Sequence, residues 1–226
     1  MRMKPIELPK QFIILDGKPV LVYTLQAFEK HPDIDNIVIT CLDAWIPVCE
    51  GYVYEYGIQK VNNIVPGGNT GQASIKNALD VVETDAGDKD LVLVHDGVRP
   101  LISQEQISQC VQSVRTYGNA VPVLWSNSAM MVSDDQITSD RAYDRWSLFC
   151  TQTPQGFYVK DLVAAHQKAF RMGITNSVAS CTLITETGGK VYFCQGDEEN
   201  IKITQQSDLK MVRAILMYRK AGEPPL

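Results

Sequence analysis

From residue 18 onward the chain alternates between two rhythms of hydrophobic and polar positions. In KPVLVYTLQAFEKH, Val20, Leu21, Thr24, Leu25 and Phe28 recur at helical spacing and fall on one face. NIVITC (36–41), KVNNIV (60–65), DLVLVH (90–95) and GNAVPVLW (118–125) are instead short runs rich in β-branched residues, as strands require. The stretches between them, 43–57, 71–83 and 103–117, read as helices. This alternation predicts an α/β fold, a Rossmann-like, mostly parallel sheet with helices on both faces. Right-handed crossovers would gather the loops that follow the strands along one edge, where ligands bind.

The rhythm breaks between about 125 and 150. SNSAMMVSDDQITSDRAYDRWSLFCTQ is polar and turn-rich, and reads as a protruding β-arm outside the main layer. Helix returns at 158–173 and strand at 190–196. SDLKMVRAILMYRKAG closes the chain as a helix with Ser207 as its expected N-cap. Residues 1–226 read as one domain.

Composition narrows the possibilities. With 21 basic and 26 acidic residues the net charge is −5, which argues against a nucleic-acid binder relying on a basic surface but leaves room for a local anion pocket. No apolar run reaches the ~18 residues of a membrane span, and no signal-like segment follows Met1. Six cysteines lack any C-x-x-C pair, and with three histidines no zinc spacing arises. A cytoplasmic protein with unpaired thiols is the expectation.

Four stretches could carry chemistry. LVLVHDGVRP delivers His95, Asp96 and Arg99 from a strand into a loop, where a carboxylate suits Mg²⁺ shared with phosphates; a structural Asp–Arg pair is the alternative. IVPGGNTGQASIKNAL sets Gly67 and Gly68 between a strand and a helix start at Ser74, so that main-chain N–H groups could hold an anion or a base edge. It matches neither G-x-x-x-x-G-K-[ST] nor G-x-G-x-x-G. GDEENIKIT alternates Asn200, Lys202 and Thr204 against Ile201 and Ile203, offering a lysine on a strand; a solvated edge residue is the alternative. DRWSLFCTQTPQGF carries Arg145, Thr151 and Thr153, and alone is a loop entering a helix.

Taken in order, LPKQF (8–12), GKPVLVYTLQAF (17–28), GGNTGQASIKNAL (67–79), VHDGVRP (94–100), DRWSLFCTQTPQGF (144–157) and GDEENIKIT...DL (196–209) resemble one family. It comprises the cytidylyltransferases acting on 2-C-methyl-D-erythritol 4-phosphate and their relatives acting on ribitol 5-phosphate. The resemblance implies CTP-dependent conversion of a polyol phosphate to its CDP-alcohol with release of pyrophosphate. The methylerythritol substrate, which belongs to isoprenoid biosynthesis, is the first expectation and ribitol 5-phosphate a near-equal second. Arg2 and Lys10 would hold the triphosphate and Lys202 the α-phosphate. Asp96 would serve Mg²⁺ and CTP, with Asp197 or Glu199 as guesses for a second metal ligand. Gly68, Asn69 and Ser74 would read the cytidine. Arg99, Ser128, Arg145 and Thr153 would face the polyol phosphate, and the arm would complete the partner's site in a homodimer.

The family pattern opens with a strand and a Gly-rich loop, A-A/G-G-x-G-x-R-M, of which only Arg2-Met3 is present here. The spacing of Lys10 from Met3 looks closer to the ribitol-phosphate relatives. A misassigned start codon or trimming is the expectation, and a degenerate paralogue competes with it. Further departures are Gly71 where the family has Arg, Asn127-Ser128 where it has Asp-Thr, and Thr175-Asn176 where it has Thr-Asp. Two alternatives stand beside the enzyme: a non-catalytic dimeric binding protein on the same fold, and a nicotinamide-dependent reductase, which would lack its glycine fingerprint.

Overall fold

A computed structural model describes residues 8–222. After a 3₁₀ turn at Lys10–Phe12, strands β1 (Ile14–Leu15) and β2 (Lys18–Pro19) form a hairpin that leads into helix α1 (Val20–Glu29). There follow β3 (Ile37–Cys41), α2 (Ile46–Glu55), β4 (Val61–Pro66), α3 (Gly71–Asp85), β5 (Leu91–Val94), α4 (Gln104–Tyr117) and β6 (Asn119–Trp125). The arm holds β7 (Met131–Val132) and β8 (Arg141–Ala142) and returns through β9 (Phe149–Thr151). The chain finishes with β10 (Gln155–Tyr158), α5 (Val159–Arg171), α6 (Ser180–Glu186), β11 (Phe193–Gln195) and α7 (Gln206–Lys220).

The helix starts are chemically marked. Thr70 Oγ1 accepts from Ala73 N at the head of α3. Ser103 and Gln106 exchange side-chain and main-chain bonds in a capping box at α4, which ends on Gly118 with φ +92°, a conformation that favours glycine. At α7 the cap is Gln205 with Asp208, two residues before the expected Ser207, because Asp208 reaches back to both Thr204 N and Gln205 N.

The main sheet runs β11-β6-β10-β5, with β9 also on β6; β3 and β4 pair in parallel as a separate two-stranded sheet. β11 is parallel to β6, but β10 lies antiparallel to both β5 and β6, so the sheet is mixed. The four residues of β10, entered from Pro154, are too few to show a rhythm in sequence. On one side Leu79 of α3 packs with Phe157, Val159, Leu162 and Leu183. On another, α7 closes over Leu15, Val20, Leu101 and Ile203.

Between β3 and β5 lies a cleft of about 870 Å³, lined along its length by both strands and roofed by α1 and α3. A closed void of that size would cost on the order of 20 kcal/mol at ~24 cal/mol per Å³, more than the ~5–15 kcal/mol by which whole domains are stable. All four residues of β5 are therefore only half-buried, although helices cover both faces of the sheet.

Candidate functional site

The carboxyl ends of the strands carry the charges. β5 leads into His95 and Asp96, and Asp96 is the hub. Its Oδ1 receives Lys202 Nζ at 2.9 Å, and its Oδ2 receives Arg99 Nε at 3.0 Å. Its main-chain N–H donates to Thr153 Oγ1 at 3.1 Å. Burial alone would push the Asp96 carboxyl up, but Lys202 and then Arg99 outweigh it and hold the group below the usual carboxylate range. Lys10 Nζ donates to Thr204 O at 2.7 Å, two residues from Lys202. Lysines from opposite ends of the chain thus meet on the one segment at 202–204, where Lys202 pairs with Asp96 and Lys10 holds the Thr204 carbonyl.

Lys202 does not sit on a strand, as its alternation suggests, but on an extended segment between β11 and α7. The alternation holds from Ile201 to Thr204, with Ile203 buried and Lys202 and Thr204 exposed; Asn200 breaks it, being fully buried. Asn200 braces the site from behind. Its Nδ2 donates to Thr153 O at 2.8 Å, and its carbonyl accepts Arg99 NH1 at 2.7 Å. Gln152 acts alongside, accepting from Asp197 N at 3.0 Å and donating to Asp197 O at 2.8 Å. Neither amide was readable from the sequence, because a buried Gln or Asn carries no pattern of its own.

His95 is half-buried, and the desolvation of its ring pushes its pKa down to about 4 and keeps it neutral. Nδ1 lies 3.1 Å from Thr153 Oγ1 and Nε2 3.4 Å from Arg99 O. These partners suit a ring protonated on Nε2, with Thr153 donating to Nδ1. Thr153 is therefore committed to His95 and Asp96, and Arg99 is 8% exposed and committed to Asp96 and Asn200. Both are expected to face the polyol phosphate; here their polar atoms serve as positioning groups behind Asp96.

The second candidate element is the loop after β4. Gly67 N donates to Cys41 O at 2.6 Å, and Gly68 N to Ser74 Oγ at 3.0 Å. Ser74 donates in turn to Thr70 O at 2.9 Å, so its hydroxyl proton is spent on the loop. Gly68 has no room for a side chain: a Cβ would stand 2.4 Å from the Ala73 Cβ. Asn69 is exposed at the tip, and Gly71, the departure from the family pattern, has open space where a side chain would go.

Ser128 and Arg145 lie on the arm, exposed and apart from this cluster. The Arg145 guanidinium stacks over Trp146 at 5.2 Å, and Trp146 packs on Trp125 at 4.3 Å. Arg2 lies outside the described residues. Among the described residues no three His, Cys, Asp or Glu groups gather as a metal cage. Glu199 pairs with Arg219, and Asp197 Oδ1 accepts from Glu199 N, so neither is aimed at Asp96. A hard cation would have to rest on Asp96 and on substrate oxygens, a donor set that suits Mg²⁺.

Comparison with known proteins fits this arrangement. The family profile of 2-C-methyl-D-erythritol 4-phosphate cytidylyltransferase matches residues 1–218. A ribitol-5-phosphate cytidylyltransferase of Vibrio parahaemolyticus is 37% identical over 95% of this chain and 90% of its own. A 2-C-methyl-D-erythritol 4-phosphate cytidylyltransferase of Clostridium acetobutylicum is 36% identical over 95% and 92%. The crystal structure of the latter enzyme from Thermus thermophilus superposes with a TM-score of 0.76 at 28% identity, covering 92% of this chain and 94% of that one. On a profile match spanning nearly its whole length, the chain belongs to the 2-C-methyl-D-erythritol 4-phosphate cytidylyltransferase family.

Proposed function

We propose that the protein transfers a cytidylyl group from CTP to a polyol phosphate and releases pyrophosphate. The observation that carries this is the cluster of Lys202 and Arg99 on Asp96 at the end of β5, with Lys10 held on the Thr204 carbonyl two residues from Lys202. An oxygen of the acceptor phosphate attacks the α-phosphorus of CTP, the bond from that phosphorus to the β-phosphate oxygen breaks, and pyrophosphate departs with the electron pair. The side chains form no covalent bond; they position the reactants and neutralise charge that spreads over the phosphoryl oxygens. Lys202, held by Asp96, faces the α-phosphate, and Lys10 the leaving phosphates, with Arg2 as a further triphosphate contact. The loop at Gly68 and Asn69 takes the cytidine, and Ser74 keeps that loop in shape. Mg²⁺, when bound through Asp96, supplies positive charge to the phosphates.

The acceptor is 2-C-methyl-D-erythritol 4-phosphate or ribitol 5-phosphate. Relatives named for the first are 34% to 36% identical to this chain and relatives named for the second 34% to 37%, so the two acceptors are tested side by side. Ser128 and Arg145 contact the acceptor of the partner subunit in a homodimer formed through the arm. The exposed Trp125, Met131, Tyr143, Trp146 and Phe149 give that arm an apolar surface to bury. The cytoplasm is the proposed location.

The test is pyrophosphate release with CTP, Mg²⁺ and each polyol phosphate in turn. Release that requires one of the two acceptors supports the assignment. If calorimetry detects no CTP binding with Mg²⁺ present, and no pyrophosphate forms with either acceptor, the non-catalytic reading takes its place.

A further inference from the structure

Two thiols meet behind the residues that brace Lys202. Cys110 of α4 is buried, and half-buried Cys194, the middle residue of β11, packs against it beside Val114 and Ala120. β11 stands at the edge of the main sheet, and an open groove of about 450 Å³ between it and α4 is lined by Gln112, Ser113 and Cys194. That is many times the ~30 Å³ of a water molecule, so a small solute reaches Cys194, with Cys110 behind it. A hydrogen bond from Cys110 draws the Cys194 thiol below its usual range, helped by the Ser113 hydroxyl; the same bond, with burial, pushes Cys110 up. Cys41 and Cys49 also touch, but both are buried and desolvation pushes both up.

Each sulfur is tied to the brace. The Cys110 proton has a second acceptor, Pro154 O at 3.4 Å, and Pro154 follows Thr153, which serves His95, Asp96 and Asn200. A Cβ on Gly156 would stand 3.0 Å from Cys110 Sγ, so α4 and β10 meet there without slack. From Cys194 the chain runs through Gly196, where a Cβ would stand 2.7 Å from Gln152 Oε1, to Asp197, which Gln152 clamps by both main-chain groups. Asn200 and Lys202 come next.

We infer that Cys194 and Cys110 form a peroxide-sensitive thiol pair, whose oxidation to a disulfide slackens the brace of Thr153, Gln152 and Asn200 and displaces Lys202. The Cys194 thiolate attacks one oxygen of a hydroperoxide and the O–O bond breaks. The other oxygen departs with the proton that Cys194 released, as water or an alcohol, and leaves a sulfenic acid. Cys110 sulfur then attacks the Cys194 sulfur, the S–O bond breaks, and the oxygen leaves as water with the Cys110 proton. The two sulfurs give up two electrons and the peroxide takes them; a dithiol reverses the change by exchange. Closing the bond takes Cys110 off the Pro154 carbonyl and pulls β11 toward α4. The thiol pair stands without the cytidylyl-transfer reading; only the loss of turnover rests on it.

The test treats a Cys150→Ser protein, free of the exposed arm thiol, with hydrogen peroxide and digests it without reductant. A peptide pair joining Cys194 to Cys110 is expected, absent when either Cys194→Ser or Cys110→Ala is added. Amide exchange at Gly196, Asp197 and Asn200 should quicken ~10-fold or more in the bridged protein. Turnover should fall about tenfold, and dithiothreitol should restore both. Peroxide that leaves Cys194 a thiol, or carries it to sulfinic acid with Cys110 intact, overturns the pair. A bridged protein with unchanged exchange at those amides overturns the link to the brace. If the bridge and the faster exchange appear but the reduced protein releases no pyrophosphate with either acceptor, the cytidylyl-transfer reading fails and the thiol pair stands.

Discussion

Replacing Lys202 by Met separates the chemistry of that side chain from its packing. Met keeps an unbranched stem and removes the charge that stands 2.9 Å from Asp96 Oδ1. The lysine side chain is 44% exposed, so as an ion pair it contributes at most ~1 kcal/mol to stability, a shift of a few degrees in melting temperature for a chain this long. Turnover should respond far more. A unit charge ~4 Å from a transferring phosphate is worth ~4 kcal/mol at an effective dielectric of ~20. At ~1.4 kcal/mol per decade, that is a loss of about three powers of ten in kcat. The charge acts on the α-phosphate as it becomes more negative, so KM for CTP should change only a few-fold while kcat collapses. Steady-state pyrophosphate release, with a melting curve on the same preparation, reads both quantities. A folded Lys202→Met variant whose kcat stays within tenfold of the parent would refute the assignment of Lys202 to the reaction.

Three other outcomes are expected. Gly68→Ala forces the Cβ against the main chain at Ala73 and Ser74, so the loop must shift; about 1–3 kcal/mol of stability and most CTP affinity should go, whereas Gly71→Ala, in open space, should change neither in urea titration or calorimetry. His95, held to about 4 when folded against an ordinary ~6.5, accepts its proton in the unfolded chain first, so its contribution is intact above ~6.5 and is lost as pH falls toward 4. That difference is worth ~3 kcal/mol at ~1.4 per unit; buried His166, also at about 4, adds in the same direction, and an unchanged pH slope of the urea midpoint in His95→Gln would remove His95 from the account. Trp146→Asp puts a charge on the apolar arm and should convert a dimer to a monomer in sedimentation velocity; a parent protein that sediments as a monomer rules out the shared site.

The parts of the fold that were legible in sequence are those with a strong local rhythm. β3, β4, β5 and β6 are β-branched apolar runs, and α3, α4 and α5 are long enough for a helical face to repeat. β10 and α6 escaped notice for the same physical reason: Gln155–Tyr158 and Ser180–Glu186 are short and owe their form to burial among other elements. The site was legible as separate weak signals. Asp96 after a strand and Lys202 in an alternating segment each had an ordinary explanation, and only their order along the chain joined them. What no local pattern could reveal is the bracing by Gln152 and Asn200, whose partners lie 45 to 101 residues away. The cleft, too, is a property of two strand edges meeting in space.

The pairing of Asp96 with Lys202 spans 106 residues of chain. A ribosome adding ~5–20 residues each second needs roughly 5–20 s to travel from the one codon to the other. Throughout that interval the nascent protein has its glycine loop and its Asp96–Arg99 pair but neither Lys202 nor Asn200, and Lys10 has no Thr204 carbonyl to hold it. Synthesis therefore completes the cluster late: a chain released before Asn200 and Lys202 are translated would carry a partial anion site lacking both.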